Sequence, residues 1–134
     1  MADLGGRCLA ILQGESGGAL LDADWSLDGR RIATASDDGL VCLFTLHDDL
    51  HQPPLTLRGH TDEVSQVRFN PRGSRLLSSS ADGTARLWSV AENSEGECLQ
   101  VLVGHEDEVF SATFSYDGQT ILTASKDNTC RVWH

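Results

Sequence analysis

The chain has 134 residues, 40% hydrophobic and 22% charged, which is enough mass and apolar content for one domain with a buried core. Its 20 acidic side chains against 10 basic ones give a formal net charge of −10, which disfavours a nucleic-acid backbone or an anionic membrane as partner and favours a basic protein segment. No apolar run is long enough to span a bilayer, and the opening MADLGGRCLAIL lacks the cationic and apolar regions of an export signal, so a cytoplasmic chain is expected.

In chain order, the first segment, CLAILQG (8–14), reads as a strand ending in glycine. Turn-like SLDG (26–29) and SDDG (36–39) follow, separated by short strand-like segments, and Phe44 closes the unit. A polar connector, HDDLHQPP (47–54), ends in Pro53-Pro54, which stops the next strand, LTLRG (55–59), from starting early. Then come VSQVRF, the turn NPRG (70–73), RLLSSS, the Asp-Gly hairpin SADG (80–83) and ARLW, closed by Trp88. A second polar connector, AENSEGE (91–97), leads to CLQVLVG (98–104), SYDG (115–118), SKDN (125–128) and a final Trp133. No 3.6-residue apolar stripe is long enough for a helix, so an all-β chain is expected.

These elements recur at spacings of 44 and 45 residues, giving three copies of one unit. Before each unit's inner strands stands a glycine with a polar neighbour: GES (14–16), GHT (59–61) and GHE (104–106). Cys8, Cys42, Cys98 and Cys130 form no CxxC pair, so zinc and thiol exchange are disfavoured and free, packed thiols are expected. His47 and His51, four residues apart beside Asp48 and Asp49, invite a metal ion, but their segment is a proline-containing loop with no third ligand. A solvated loop is expected there, with neither metal nor cofactor.

Gly-His, an aromatic residue before a turn, Ser-x-Asp-Gly and Leu-Trp together resemble the WD repeat. The resemblance covers essentially the whole chain as a single region, 1–134, with repeats at approximately 8–46, 55–90 and 98–134. It implies three blades of antiparallel strands, a partial β-propeller in which each repeat supplies the outermost strand of one blade and the three inner strands of the next. In that register CLAILQG is a spare outer strand, and the last blade, ending in SKDNTCRVWH, lacks one. Propellers close with about four to eight blades, so the chain is expected to be a fragment of a larger ring or to be completed by self-association, one copy's first strand closing another's last blade. The third copy (96–133) and SRLLSSSADGTARLW (74–88) are more particularly similar to the C-terminal repeats of dynein assembly factors with WD repeats, the outer row dynein assembly proteins. That similarity implies a role in outer-arm dynein assembly or intraflagellar transport of dynein cargo. It also implies an intraflagellar transport component or outer-arm dynein subunit as partner, in the cytoplasm or in the cilium or flagellum.

Ser or Thr, His, Asp and Trp recur in the strong copies as His60, Ser78, Asp82 and Trp88, and as His105, Thr123, Asp127 and Trp133. By resemblance these form a structural chain from tryptophan N–H to hydroxyl, imidazole and hairpin aspartate. A hydrolase triad is the competing reading. A catalytic set is needed once, whereas this one repeats at the blade period, and no GxSxG elbow or glycine-rich oxyanion loop adjoins it. In the first copy only Thr34 and Asp38 remain in register: Phe44 replaces the tryptophan, Glu15 or Ser16 stands where histidine is expected, and an extra residue precedes Trp25. That blade is expected to be the least stable, or the most specialised.

The resemblance also implies partner contacts at two positions of each first inner strand and at the residue before each hairpin aspartate. These are Glu63, Ser65 and Ala81; Glu108, Phe110 and Lys126; and, with a register blurred by the insertion, Ala19, Leu21 and Asp37. Phe110 is the sharpest of them, an extra aromatic beside Val109 that is either an exposed hot spot or a buried core residue. TDEV (61–64) and EDEV (106–109), with Asp37 and Asp38, make one face negative, for a Lys/Arg-bearing segment or simply for solubility. The expected function is a non-catalytic scaffold. Other WD-repeat roles, a ubiquitin-ligase substrate receptor or a G-protein-beta-like subunit, have no F-box segment or coiled coil here to favour them.

Overall fold

The computed structural model describes residues 5–14, 17–46 and 53–134, and within them the chain forms eleven strands and no helix. The first sheet holds β1 (Leu20–Trp25), β2 (Arg31–Ser36), β3 (Val41–Thr45) and β4 (Leu55–Leu57), in that order. The second runs β5 (Val64–Phe69), β6 (Arg75–Ser80), β7 (Thr84–Ser89) and β8 (Cys98–Val103). The third has β9 (Val109–Phe114), β10 (Ile121–Ser125) and β11 (Cys130–Trp133). All pairs are antiparallel, so each sheet is one blade, and β4 and β8 are outer strands supplied by the following repeat.

Turn chemistry sets the register. The hairpins place Gly39 and Gly83 at φ of 85° and 89°, and Asn128 takes the same left-handed conformation at 71°, the one non-glycine among the described residues to do so. Gly39 has a second constraint: a Cβ there would lie 3.1 Å from the His60 carbonyl, because the first blade's hairpin packs on the loop that enters the second.

Blades pack face to face. One cluster joins Ala33, Ala35, Val41 and Leu43 of the first blade to Val64, Val67, Leu76 and Trp88 of the second. Another joins Leu77, Ala85 and Leu87 to Ala112, Phe114, Ile121 and Trp133 of the third. The middle blade is therefore buried on both sides, which is why β6, RLLSSS, is apolar or hydroxyl-bearing at every buried position.

Three side chains of the innermost strands stitch the seams. Asp22 accepts from the Val67 amide at 3.1 Å and Asp24 from the Phe69 amide at 3.0 Å, while Gln66 accepts from the Ala112 amide at 3.1 Å. Arg31 crosses the same first seam, donating to the carbonyls of Gly73 and Val90 with its guanidinium over the Phe69 ring.

Two expectations need correction. CLAILQG forms no strand; Leu9 and Ile11 are 79% and 82% exposed. Apolar alternation gives a strand only where a sheet edge offers a hydrogen-bond ladder, and none of the described edges pairs with this segment. Nor are all four thiols packed: Cys42 is buried and Cys98 half-buried, but Cys8 and Cys130 are exposed.

Candidate functional site

The recurring Ser/Thr-His-Asp-Trp sets come together at the blade seams. In the second blade Trp88 Nε1 donates to Ser78 Oγ at 2.9 Å, Ser78 Oγ lies 2.7 Å from His60 Nε2, and His60 Nδ1 lies 2.9 Å from Asp82 Oδ2. The third blade repeats this geometry with Trp133, Thr123, His105 and Asp127 at 2.9, 2.7 and 2.8 Å. Each aspartate also ties the incoming loop: Asp82 accepts from the Thr61 amide at 3.1 Å and Asp127 from the Glu106 amide at 3.0 Å. For Asp82, burial alone would raise the carboxyl pKa, but hydrogen bonds from His60 and Thr84 outweigh it and hold the group well below its usual range. Asp127 is held equally low, first by the Thr129 hydroxyl and then, against burial, by His105.

Ser78, Thr123 and the His60 side chain are 0% exposed, so their hydrogen-bonding atoms meet protein partners rather than solvent.

The first blade is the exception. Thr34 Oγ1 is buried and has no hydrogen-bond partner among the described residues, since Phe44 has no N–H to give. Among the described residues Asp38 accepts from the Leu40 amide of its own turn alone, at 3.1 Å. Glu15, Ser16 and the His47–His51 segment lie outside the described residues.

The three sets of expected contact positions occupy equivalent places. In each blade the ladder slips once in the first inner strand, leaving Leu21, Ser65 and Phe110 as bulged residues. The residue two before each bulge bonds the residue before the hairpin aspartate: Asp37 N to Ala19 O, Ala81 N to Glu63 O and Lys126 N to Glu108 O, all at 2.9 Å. The insertion before Trp25 is thus absorbed ahead of Ala19, and the first copy's register is the same as the others'.

These positions differ in what they leave free. Ser65 is spoken for, its hydroxyl 3.0 Å from the Val109 and Phe110 carbonyls across the seam. Asp37 is partly engaged, accepting from the Ala19 amide at 3.0 Å. Phe110 is 51% exposed and Leu21 47%, while Glu63 and Lys126 are exposed and Glu108 and Ala81 half-buried. Between the second hairpin and the third blade's entry loop, a hollow of about 220 Å³ is lined by Ala81, Asp82, Glu106, Asp107 and Glu108.

Missed at the sequence level were Asp22, Asp24 and Gln66. Nothing local marks them, because a polar residue on an inner strand looks the same whether or not the next blade offers it an amide.

The family model described as WD domain, G-beta repeat matches residues 6–45, 51–89 and 96–134, and the chain belongs to the WD40-repeat family. Among relatives, WD repeat and HMG-box DNA-binding protein 1 of Xenopus laevis is 39% identical over 70 residues, covering 52% of this chain and 6% of that protein. The WD40 repeat-containing protein HOS15 of Arabidopsis thaliana is 35% identical over 77 residues, 58% of this chain and 12% of its own length. Human coronin-7 is 34% identical over 93 residues, 64% of this chain and 10% of that protein. The chain thus spans only a small part of these relatives, 6–12% of their own length.

Proposed function

We propose that the chain is a non-catalytic protein-interaction scaffold whose hairpin end receives a basic segment of a protein partner. One observation carries this reading. Phe110, half exposed on its bulge, stands beside Glu108, on the same end as the exposed Asp62, Glu63, Glu106 and Asp107. An accessible aromatic within a field of carboxylates suits the stem and charge of lysine or arginine. The acidic balance speaks against nucleic acid and membrane surfaces, including the DNA binding in one relative's name.

The test is fluorescence anisotropy with a labelled Lys/Arg-rich dodecapeptide. Binding should weaken as salt rises and fall about tenfold in Phe110→Ala and in Glu63→Lys with Glu108→Lys. An affinity indifferent to all three substitutions removes the reading.

Within this class, the finer reading is a carrier in outer-arm dynein assembly or intraflagellar transport of dynein cargo, in the cytoplasm and the cilium or flagellum. It is supported by the similarity of residues 74–88 and 96–133 to the outer row dynein assembly proteins. The comparisons with relatives add nothing to it. Capture of an intraflagellar transport component or an outer-arm dynein subunit from ciliated-cell extract supports it; capture of neither returns the chain to the general scaffold class. That class includes ubiquitin-ligase receptors and G-protein-beta-like subunits.

A further inference from the structure

The opposite end of the blades, where SLDG, NPRG and SYDG turn, has a different chemistry from the hairpin end. Its turn tips each pair an exposed apolar residue with a charged one: Leu27, 85% exposed, with Asp28, Pro71 with Arg72, and the fully exposed Tyr116 with Asp117. Together with Trp25, which is 57% exposed, and the ends of β5 and β9 at Phe69 and Phe114, they line a groove of about 460 Å³. The groove continues past Pro71 and Tyr116 into a second depression that holds Arg72 and Arg75, where the one carboxylate, Asp117, is tied to its own turn by the Ser115 hydroxyl and the Gln119 amide.

Those two arginines are unspent. Neither guanidinium makes a hydrogen bond or ion pair with any described residue. The contrast with Arg31 is informative, because Arg31 and Arg75 hold the same register, opposite Thr45 and Ser89. Arg31 is consumed by the next blade through Gly73 and Val90, whereas Arg75 stands beside Gly118 and Tyr116 without taking the corresponding carbonyl. Arg68, on the groove wall, is already neutralised by Asp22 at 2.6 Å. In a chain of net charge −10, this end therefore offers free cations next to exposed aromatic rings. Arginine and aromatic side chains on a concave patch are the composition of a recognition site rather than of a solubilising surface.

We infer that this groove receives an extended peptide segment in which large apolar side chains are flanked by carboxylates. The apolar side chains lie between Trp25, Pro71 and Tyr116, and the carboxylates pair with Arg72 and Arg75, which can bind them bidentately. This ligand has the opposite charge from the one assigned to the hairpin end.

The test uses the full chain and a fluorescein-labelled peptide, GEDEFLEDEG, read by anisotropy and by tryptophan emission. Expected are saturable binding, an emission change that disappears in Trp25→Phe, and a loss of at least about tenfold in affinity in Tyr116→Ser and in Arg72→Glu with Arg75→Glu. These positions are exposed, so the variants should fold, which equal melting temperatures verify. A peptide with FL replaced by SS should bind much more weakly, and one with every acid replaced by lysine should not bind at this groove. Equal affinity for the serine form, indifference to the Arg72/Arg75 charge reversal, or no saturation up to about 1 mM each overturns the proposal.

Discussion

Trp88, Ser78, His60 and Asp82 admit one consistent direction of donation. A carboxylate only accepts, so His60 carries its proton on Nδ1; Nε2 then accepts from Ser78 O–H, and the serine oxygen accepts from Trp88 N–H. Removing the middle of such a chain strands groups on both sides of it. His60→Ala should therefore cost about 2–4 kcal/mol in urea denaturation, since the Ser78 hydroxyl and Asp82 both lose a buried partner. Thr34→Val should behave oppositely. Its hydroxyl is buried without a partner among the described residues, so an isosteric methyl leaves stability unchanged or raises it by up to about 1 kcal/mol. The same substitution logic at Ser78 gives a loss, and a loss at Thr34 would mean that its hydroxyl has a partner after all. The aspartates add a pH dependence. Asp82 and Asp127 titrate below their ordinary value of 3.8 in the folded chain, so the unfolded chain binds protons first as pH falls. Their stabilisation is fully present above pH 3.8 and erodes below it as the folded carboxylates are forced to protonate. Asp82→Asn with Asp127→Asn should make the chain less stable at neutral pH and flatten its acid unfolding profile, measured from pH 5 to 2. The members of these sets were legible in the sequence because they recur at the blade spacing, and the order in which they bond came from the resemblance to WD repeats. The orphaned Thr34 was legible too, from the phenylalanine where a donor should stand.

Strands and turns could be read from Asp-Gly hairpins and apolar alternation because both are local. The seams could not, since Asp22 looks like any polar strand residue until the next blade's Val67 amide is found 3.1 Å away. CLAILQG failed for the same reason in reverse: its alternation is strand-like, but a strand is a relation between two segments. Stability should follow these relations. The middle blade is covered on both faces and has a complete network, whereas the first has an orphan hydroxyl and the third an open outer edge at β11, whose residues are exposed up to Trp133. Hydrogen exchange should find β6 and β7 opening only with global unfolding, and β1 and β11 exchanging through smaller local openings. Uniform protection across the three blades would contradict this order. Asp22→Ala should cost about 1–3 kcal/mol, because the Val67 amide and the Arg68 guanidinium lose one shared acceptor.

At the scale of the whole molecule, the two ends of the blades differ in chemistry: carboxylates predominate around the hairpins, while the other turns bring exposed apolar side chains together with Arg72 and Arg75. The two sides also differ. Leu77 and Leu87 of the middle blade are 0% and 6% exposed because the third blade covers them, yet their equivalents in the third blade, Leu122 and Val132, are 43% and 73% exposed. That face repeats the pattern of two faces already buried in the molecule, next to an edge of β11 that no described strand pairs with. Two mechanisms would let copies of this chain join there: face-to-face packing on Leu122 and Val132, or donation of residues 8–14 from one copy as a fourth strand beside β11 of another. Light scattering separates them. Self-association should show as a concentration-dependent mass above 14.5 kDa. If packing drives it, Leu122→Glu with Val132→Glu returns the chain to monomer while deletion of residues 1–14 leaves the mass raised. If strand donation drives it, the deletion alone gives monomer, because the ladder on β11 uses backbone groups that side-chain substitution spares. A strict monomer at every concentration would rule out both. The exposed Leu9 and Ile11 and the exposed Leu122 and Val132 are each apolar surface that association would bury, and the face already has two covered counterparts within the fold. Packing is therefore the outcome expected.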